Sequence, residues 1–381
     1  MPLPLQRAAL AAVMLAIVPS LGPQAGAAGV GAHARAARSA GAPRRPSPSF
    51  EVQEVAPNVY AVLRREPPGY LFQSNSVFIV CDSDVVVVDA QFTAAATREV
   101  LGALRRITSK PVRYVVNTHS HDDHVTGNQV YRDAFPGVEF IGHEETRADL
   151  ETGAAERRRQ LVAALPEGLA AIRERLRTGT TSAGAALTDE QRASLTSDLA
   201  LGERYLAEAP SFRLTPPTIT FADHLTLVHG GRTIELRYLG RAHTAGDIVV
   251  RLPADNVVIT GDLIVWPVPL VGSTSHPADY VMALERLRAL RPAAMVPGHG
   301  PVMRDDGYLD LMIRMLTSLT RQVDSAVARG ETVEQAQKSV NLDEYRAAFA
   351  GDSKVKQGLF TNYVLLPGVV CAHREASARR R

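Results

Sequence analysis

The densest group of chemically versatile side chains lies in the run Thr-His-Ser-His-Asp-Asp-His at residues 118–124. Three imidazoles and two carboxylates occupy the six positions from His119 to His124. Nitrogen and oxygen ligands at this density suit a borderline divalent ion such as zinc. The run follows Val112–Val116, which is rich in β-branched residues, so we expect it at the end of a strand, where ligands converge.

Three further candidate ligands follow strand-like segments farther along the chain, and they are His243, Asp262 and His299. His119 and His121 are two residues apart, so in an extended segment their side chains point the same way. The remote histidines would complete three nitrogen ligands for one ion and a mixed set for another. Because a carboxylate has two oxygens, Asp262 could bridge the two ions.

The second half of the run has a different expected role. Asp123 and His124 follow a predicted turn, so they can face a second ion from the other side. Asp122 fills the position between, and we expect it to face solvent or cap a turn. For His143, in Ile-Gly-His-Glu, two interpretations stay open: a residue that lines the site, or a hydrogen-bonded neighbour of the sheet.

Taken together, four motifs in this order resemble the metallo-β-lactamase superfamily. They are His-x-His-x-Asp-His at 119–124, Gly-x-x-His-Thr-x-Gly at 240–246, Gly-Asp at 261–262 and Pro-Gly-His-Gly at 297–300. The resemblance covers roughly residues 50–320. It implies an α+β four-layer αβ/βα sandwich, in which two mixed β-sheets are flanked by helices and two metals lie at one edge.

The resemblance also implies a role for each candidate residue. The first metal site would consist of His119, His121 and His243. The second would consist of Asp123, His124 and His299. Asp262 would bridge the two sites, and Asp89, which ends an early strand, would hold the ligands in place without binding an ion itself. His143 matches a position common in the superfamily, but it is not a standard ligand there.

These assignments predict a hydrolase with two Zn²⁺ ions, although other divalent metals such as Fe or Mn fit the same donors. A metal-bound water has its pKa lowered to about 7, which gives a strong nucleophile at neutral pH. We expect a metal-bound hydroxide to attack a carbonyl of a small ester, thioester, lactone or lactam. Asp123 is the expected catalytic residue, since it can orient that hydroxide and shuttle its proton.

Fold alone does not decide the reaction, so alternatives remain. One is a β-lactamase, although known zinc β-lactamases typically carry cysteine or serine where this chain has Asp262. Another is a sulfur dioxygenase with a single iron, held by a subset such as His119, His243 and Asp262. A third is a metal-binding protein without turnover. Metal stoichiometry separates these, because two zincs favour hydrolysis and one iron favours oxygen chemistry.

The N-terminal region has the pattern of an export signal. Arg7 precedes an apolar run over 8–21, and Ala25-Gly26-Ala27 offers small residues for cleavage. We expect a signal peptide over residues 1–27 and a flexible linker over 28–48; an uncleaved anchor and a disordered leader are the alternatives. The apolar run is short for a membrane span. The mature protein is therefore expected to be exported, periplasmic or secreted, without stable membrane insertion.

Beyond the leader, the pattern predicts one domain over residues 49–330 and a helical extension with a basic tail over 331–381. Strand-like runs vanish over 145–209, where Ala, Leu, Arg and Glu dominate, so we expect a helical insert there. Thr188-Asp-Glu-Gln191 fits a helix-capping box within it. The insert is expected to act as a lid or as a dimer contact.

The amino-acid composition limits the classes of partner that we expect for this protein. The chain of 381 residues is 45% hydrophobic and 22% charged, as in an ordinary globular protein. Residues 1–48 hold five arginines and no acidic residue, so the remainder is mildly acidic. We therefore expect a small-molecule substrate and no nucleic-acid partner. The sequence predicts no oligomeric state. Cys81 and Cys371 are expected to fill core positions rather than to form a disulfide.

Overall fold

The structure of the protein is a computed structural model that describes residues 49–380. The expected signal peptide over 1–27 and the linker over 28–48 lie outside the described residues.

Two mixed β-sheets form the centre of the described part of the chain. The first has seven strands in chain order: β1 (Phe50–Ala56), β2 (Val59–Arg64), β3 (Ser76–Val80), β4 (Val85–Val88), β5 (Val112–Val116), β6 (Glu139–His143) and β7 (Ile219–Phe221). The second has five strands, and here too each strand lies beside the next one in the chain: β8 (His224–His229), β9 (Arg232–Tyr238), β10 (Ile248–Leu252), β11 (Val257–Val265) and β12 (Ala294–His299).

Helices connect the strands and follow them. Up to the second sheet they are α1 (Ala94–Ile107), α2 (Asp122–Val125), α3 (Asn128–Ala134), α4 (Glu144–Glu151), α5 (Gly153–Thr178) and α6 (Asp189–Glu208), with a 3₁₀ turn at Ala209–Ser211. The remainder are α7 (Pro277–Ala289), α8 (Gly307–Ala328), α9 (Val333–Ser339), α10 (Asp343–Ala350), α11 (Lys354–Leu359) and α12 (Leu366–Arg379), with a π-helical turn at Phe360–Leu365 before the last.

Three hydrophobic clusters define four layers. The two sheets pack face to face through residues such as Ile79 and Ile259. Helix α1 covers the outer face of the first sheet, with Leu104 in the shared core. Helices α7 and α8 cover the outer face of the second, where Leu284 and Leu316 are fully buried. This arrangement confirms the expected α+β four-layer sandwich with two mixed sheets.

The central strands have the composition that burial on both faces requires. Strand β4 reads Val-Val-Val-Val and all four residues are buried. It pairs in parallel with β5, and β5 pairs in parallel with β6. Parallel strands covered on both faces favour such continuous β-branched runs. Because the carboxyl ends of parallel strands share one edge, the residues that follow β4 and β5 lie close together.

Several element boundaries match the sequence prediction, and two differ where the site lies. The predicted strand over 112–116 and helix over 94–107 are confirmed. Strand β11 extends to Val265, so Asp262 lies within a strand and not after one. The predicted turn before Asp123 and His124 is the short helix α2, which begins at Asp122.

Residues 145–209 contain most of α4 and all of α5 and α6. Helix α6 begins with the predicted capping box, in which Thr188 and Gln191 bond each other's backbone N–H groups. Helix α5 spans 26 residues and continues through Pro166. Leu165 and Leu169 of α5 form a small core with Leu195 of α6.

The C-terminal helices pack against the helices that cover the second sheet. Helix α12 contacts α8 and α7, and its Val369 and Ala372 belong to the same core as Leu284. Cys371 of this helix and Cys81 are buried and free, so the expectation of core cysteines is confirmed. Within residues 49–380, none of the helices has the length and apolar character needed to cross a membrane.

Candidate metal centre

Two adjacent groups of metal-ligating side chains lie at one edge of the two sheets. The first group is His119, His121, His243 and Asp262. The second group is Asp123, His124 and His299. Within each group the ligand atoms lie within 4.8 Å of one another. The structure therefore brings together all seven residues that the sequence predicted as ligands, in the two sets expected, with Asp262 beside the first.

Asp262 faces both groups. Its Oδ2 lies 3.8 Å from His119 Nε2 and 3.5 Å from His243 Nε2. Its Oδ1 lies 3.2 Å from His124 Nε2 and 3.3 Å from His299 Nε2. One carboxylate oxygen is thus directed at each group, as a bridging ligand requires.

The distances between ligand atoms fit a shared ion. Donors bound roughly 2.0–2.1 Å from a tetrahedral zinc lie roughly 3.3–3.4 Å apart. The observed separations in the second group are close to this, since Asp123 Oδ2 lies 3.2 Å from His124 Nε2 and 3.1 Å from His299 Nε2. These atoms, together with His119 Nε2 and Asp262 Oδ1, are buried without a hydrogen-bond partner. Buried polar atoms are normally satisfied, so this cluster fits divalent cations.

Second contacts fix the ring nitrogen that each histidine offers to an ion. His243 Nδ1 lies 2.9 Å from the Leu270 carbonyl, and His299 Nδ1 lies 3.0 Å from the Gln73 carbonyl. A carbonyl only accepts, so both rings carry hydrogen on Nδ1 and direct the Nε2 lone pair at the site. His121 has the opposite orientation: its Nε2 lies 3.2 Å from Thr274 Oγ1 and its Nδ1 faces His243.

Asp89 supports the cluster from behind. It accepts hydrogen bonds from the backbone N–H and the hydroxyl of Thr118, at 2.8 and 2.7 Å. His124 Nδ1 lies 2.8 Å from the carboxylate oxygen that accepts the Thr118 hydroxyl. Asp89 holds φ at 58°, a left-handed conformation that is uncommon outside glycine and marks a constrained position. These contacts are what the predicted role of Asp89, holding a ligand in place without binding an ion, requires.

Burial or neighbouring charges lower the pKa values of three of the ligands. Burial and, to a lesser extent, the neighbouring His243 together lower the pKa of His121 to about 3. Burial also holds the pKa of His119 well below its ordinary value. For Asp262, burial alone would raise the pKa, but His299 and His124 hold it well below the usual range. The carboxylate is therefore ionised and the first-group imidazoles His119 and His121 are neutral, which are the forms that bind metal.

The first glycine of Pro-Gly-His-Gly, Gly298, is required at its position for a steric reason. A Cβ added to Gly298 would lie 1.9 Å from Asp262 Oδ1. No side chain tolerates such a contact, so only glycine lets β12 pass this close to the bridging carboxylate.

Other residues considered from the sequence have structural roles. His143 Nδ1 accepts from the Glu145 N–H and caps α4, while its Nε2 lies 2.8 Å from the Ala222 carbonyl. These contacts agree with the interpretation of His143 as a hydrogen-bonded neighbour of the sheet. The expectation that Asp122 faces solvent is wrong: it bonds Arg158 and accepts the Tyr205 hydroxyl at 2.7 Å. Its carboxylate attaches α2 to the two long helices.

Sequence reasoning missed the residues that orient the ligands from remote loops. Thr274 contacts His121 and donates to the His243 carbonyl at 3.0 Å. The ring of Phe72 packs edge-on against His299, with centroids 4.5 Å apart. Neither position has a local signal, since threonine and phenylalanine in loops are common. Only the fold shows their proximity to the ligands.

Comparison with known families identifies the fold. Residues 69–299, more than half of the chain, match the family model described as the metallo-beta-lactamase superfamily. The chain belongs to the metallo-β-lactamase superfamily. The resemblance inferred from the four motifs is thereby confirmed, and the superfamily agrees with a metal-binding donor set of histidine and aspartate.

Known members with sequence or structural similarity differ in activity. A linear primary-alkylsulfatase from a Pseudomonas species is 25% identical over 276 residues, covering 70% of this chain and 49% of the alkylsulfatase. The chain therefore spans about half the length of this curated relative. A metallo-β-lactamase from Pontibacter korlensis has a TM-score of 0.49 at 20% identity, covering 70% of this chain and 99% of that one. The DIM-1 metallo-β-lactamase has a TM-score of 0.47 at 16% identity, with coverages of 71% and 98%.

Proposed function

We propose that this protein is a dinuclear zinc-dependent hydrolase that cleaves a small ester, thioester, lactone or lactam. The observation that carries the proposal is the position of Asp262, whose two oxygens face the two ligand groups separately. A single-ion site would not need a second group formed by Asp123, His124 and His299. The second group therefore favours hydrolysis over the chemistry of a mononuclear iron dioxygenase.

The reaction needs a nucleophile that is strong at neutral pH. When bound, two zinc ions would supply Lewis acidity, which lowers the pKa of water to about 7 and polarises a carbonyl. Asp123 would orient the attacking water, accept its proton at a carboxylate oxygen and return it to the leaving group. Asp123 suits this role because it is a ligand and also lines the adjoining cavity.

The protonation state of Asp123 agrees with a base. Burial alone would raise its pKa, but the adjacent His124 and His299 hold the pKa well below the ordinary value. The carboxylate is therefore ionised at neutral pH, which is the form that can bind a metal ion and accept a hydrogen bond from water.

Neither Tyr280 nor Asn128, the polar side chains that would be candidate donors to a developing oxyanion, is free to take that role. Tyr280 donates its hydroxyl to the Asp262 carbonyl at 2.7 Å. The Asn128 amide donates to Asn117 and to the Thr215 carbonyl. Both side chains are fully buried in structural hydrogen bonds.

A second candidate reaction is hydrolysis of the sulfate ester of a primary alkyl chain. It is favoured by the relative named as a linear primary-alkylsulfatase. The same ionised Asp123 would orient water for this reaction, so the two candidates differ in the group that is cleaved.

The first experiment combines elemental analysis of the purified protein with a substrate panel. The panel contains an aryl ester, an aryl thioester, a lactone, a chromogenic cephalosporin and dodecyl sulfate. Two zincs per chain with turnover of a carbonyl substrate supports the main proposal. Turnover of dodecyl sulfate alone supports the second candidate, and one iron with no hydrolysis contradicts both.

We also propose that the protein is exported, with cleavage after Ala27. The support is the pattern of an apolar run followed by small residues. Expression of the full chain in a bacterial host, followed by fractionation and N-terminal sequencing, tests this. A mature chain that begins at Ala28 in the periplasm or medium is expected; an intact chain in the cytoplasm would contradict it.

A further inference from the structure

A cavity of about 270 Å³ opens directly onto the ligand groups. One end is lined by His121, Asp123 and His243. Its volume is near the lower limit of ligand pockets, which hold roughly 300–1,000 Å³. A small molecule in this cavity would lie within reach of both metal groups.

The other end of the cavity is apolar, and helix α5 supplies its wall. Four residues of α5 that line it recur at helical spacing on one face: Leu161, Leu165, Leu169 and Ile172. Phe72 and Phe92 from two loops complete the wall. Helix α5 lies within the stretch predicted as an insert, so the insert shapes the cavity beside the site.

Charged side chains near the cavity are compensated by protein partners. Arg157 bonds Asp149, and Arg158 bonds Asp122 through two nitrogens. Asp198 accepts hydrogen bonds from the backbone N–H groups of Tyr70 and Leu71, which line the cavity next to Phe72. The apolar end therefore offers no unpaired charge, among the described residues, to attract a second polar group.

We infer that the substrate is an amphiphile with a straight hydrocarbon chain, which lies along the α5 stripe while the scissile group meets the ligands. This inference rests on the proposed hydrolase function and narrows its substrate class. Burying a methylene in an apolar site contributes about 0.8 kcal/mol, which is roughly a fourfold gain in affinity. A polar or very short substrate would leave the stripe without a partner.

The first test uses the zinc-loaded protein and aryl esters of straight-chain acids from two to twelve carbons. The value of kcat/KM should rise about threefold to fourfold per methylene and stop rising when the cavity is full. The gain should appear mainly in KM, because the chain binds equally in ground state and transition state. A profile that is flat or falls from the two-carbon ester overturns the inference.

A matched pair of variants locates the chain in the cavity. Leu161→Trp adds bulk at a partly exposed position of the stripe, whereas Leu199→Trp makes the same change on α6 outside the cavity. Leu161→Trp should lower kcat/KM for the eight-carbon ester at least tenfold and change the two-carbon ester less than threefold. Leu199→Trp should leave both unchanged. Equal effects of the two variants would contradict the assignment.

A second variant covers the case in which Leu161→Trp does not fold. Gly272 also lines the cavity, and a Cβ added there has no atom within 4 Å. Gly272→Leu should therefore fold and shift the optimum to shorter chains. An unchanged optimum in this folded variant counts against the inference.

Binding separates failure of this inference from failure of the proposed function. Calorimetry with straight-chain carboxylates from four to ten carbons measures affinity without turnover. Affinity that rises with chain length in the absence of any hydrolysis would support the cavity assignment and contradict the hydrolase. Hydrolysis of esters together with an affinity that does not change with chain length would support the hydrolase and contradict the cavity assignment.

Discussion

At the scale of single residues, four of the five histidine ligands are held by the contacts outside the ligand set described above. Leu270 and Gln73 carbonyls hold two rings, Asp89 holds a third, and Thr274 holds the fourth. Such contacts restrict ring rotation and select the tautomer, so that the lone pairs are directed before an ion arrives. The chemistry of the site therefore depends on residues that need not touch the substrate.

Replacement of Asp123 by asparagine removes the proposed base with little change of shape. We expect kcat to fall roughly 10²–10⁴-fold in the presence of excess zinc, because general-base assistance is lost. Steady-state kinetics, with circular dichroism to confirm folding, measure this. Asp133→Asn, which alters only an exposed ion pair with Arg213, is the control. Activity of Asp123→Asn within a few-fold of wild type would refute the mechanism.

Asp89→Asn tests the support behind His124. Asparagine tolerates the left-handed backbone at this position, so the fold should persist. The amide cannot replace every acceptor bond to Thr118 and His124, and zinc affinity of the second group should fall about tenfold to a hundredfold. Competition with a chromogenic chelator measures the affinity. Unchanged affinity would show that Asp89 does not position the ligand.

At the scale of elements, one loop joins the long helices to the site. Asp198 of α6 accepts the N–H groups of Tyr70 and Leu71, at 3.0 and 2.9 Å to the same oxygen. Two residues farther on, the Gln73 carbonyl holds His299. A shift of α6 against this loop would therefore move a wall of the cavity and a ligand together.

Burial raises the pKa of Asp198 to about 6, despite hydrogen bonds from Leu71 and Tyr70 and the nearby Arg175. A raised carboxyl pKa means that the folded state binds the proton more tightly than the unfolded state. Its stabilising contribution is therefore full below about pH 4 and is lost as pH rises through about 6. We expect this group to lower the free energy of unfolding by on the order of 1–3 kcal/mol over that interval.

The Asp198→Asn variant isolates this contribution. Oδ1 accepts from both backbone N–H groups, and Oδ2 accepts a longer bond from Tyr70 at 3.2 Å, so asparagine can keep the two shorter bonds while removing the titration. Urea unfolding of zinc-loaded wild type and variant between pH 4 and pH 8 should give curves that diverge as the pH rises, with the variant relatively more stable. Parallel curves would show that Asp198 does not titrate in this interval.

At the scale of the whole molecule, the metal groups join the two sheets. The run 119–124 follows a strand of the first sheet, whereas Asp262 and His299 belong to strands of the second. Ions bound between them would add cross-links between two halves that otherwise meet through apolar packing. Metal binding should therefore stabilise the folded state as a whole.

Removal of metal should lower the melting temperature of the protein. At a free zinc concentration 1,000 times Kd, binding contributes about 4 kcal/mol, which corresponds to on the order of 5–15 °C. Calorimetric scans before and after treatment with a chelator measure the shift, and the zinc-saturated chelator is the control. Zinc should restore the original value. An unchanged melting temperature would mean that the groups hold no structural or catalytic ion.

The ligand types, their approximate pairing and the strands that carry or precede them followed from the sequence alone. The reason is that the spacing of the 119–124 run and the β-branched runs are local properties, which depend on neighbours along the chain. The fold class followed because four such motifs resemble one superfamily in order.

Only the tertiary structure decided how the site is held and what it faces. Thr274 contacts His121, Asp122 attaches α2 to the long helices, and Leu161 lines a cavity beside Asp123. These partners lie far apart in sequence, and their contacts depend on how the long helices and loops pack against the sheet edge. That packing is set by many small burial energies summed over the whole domain, so no single segment of the sequence carries it.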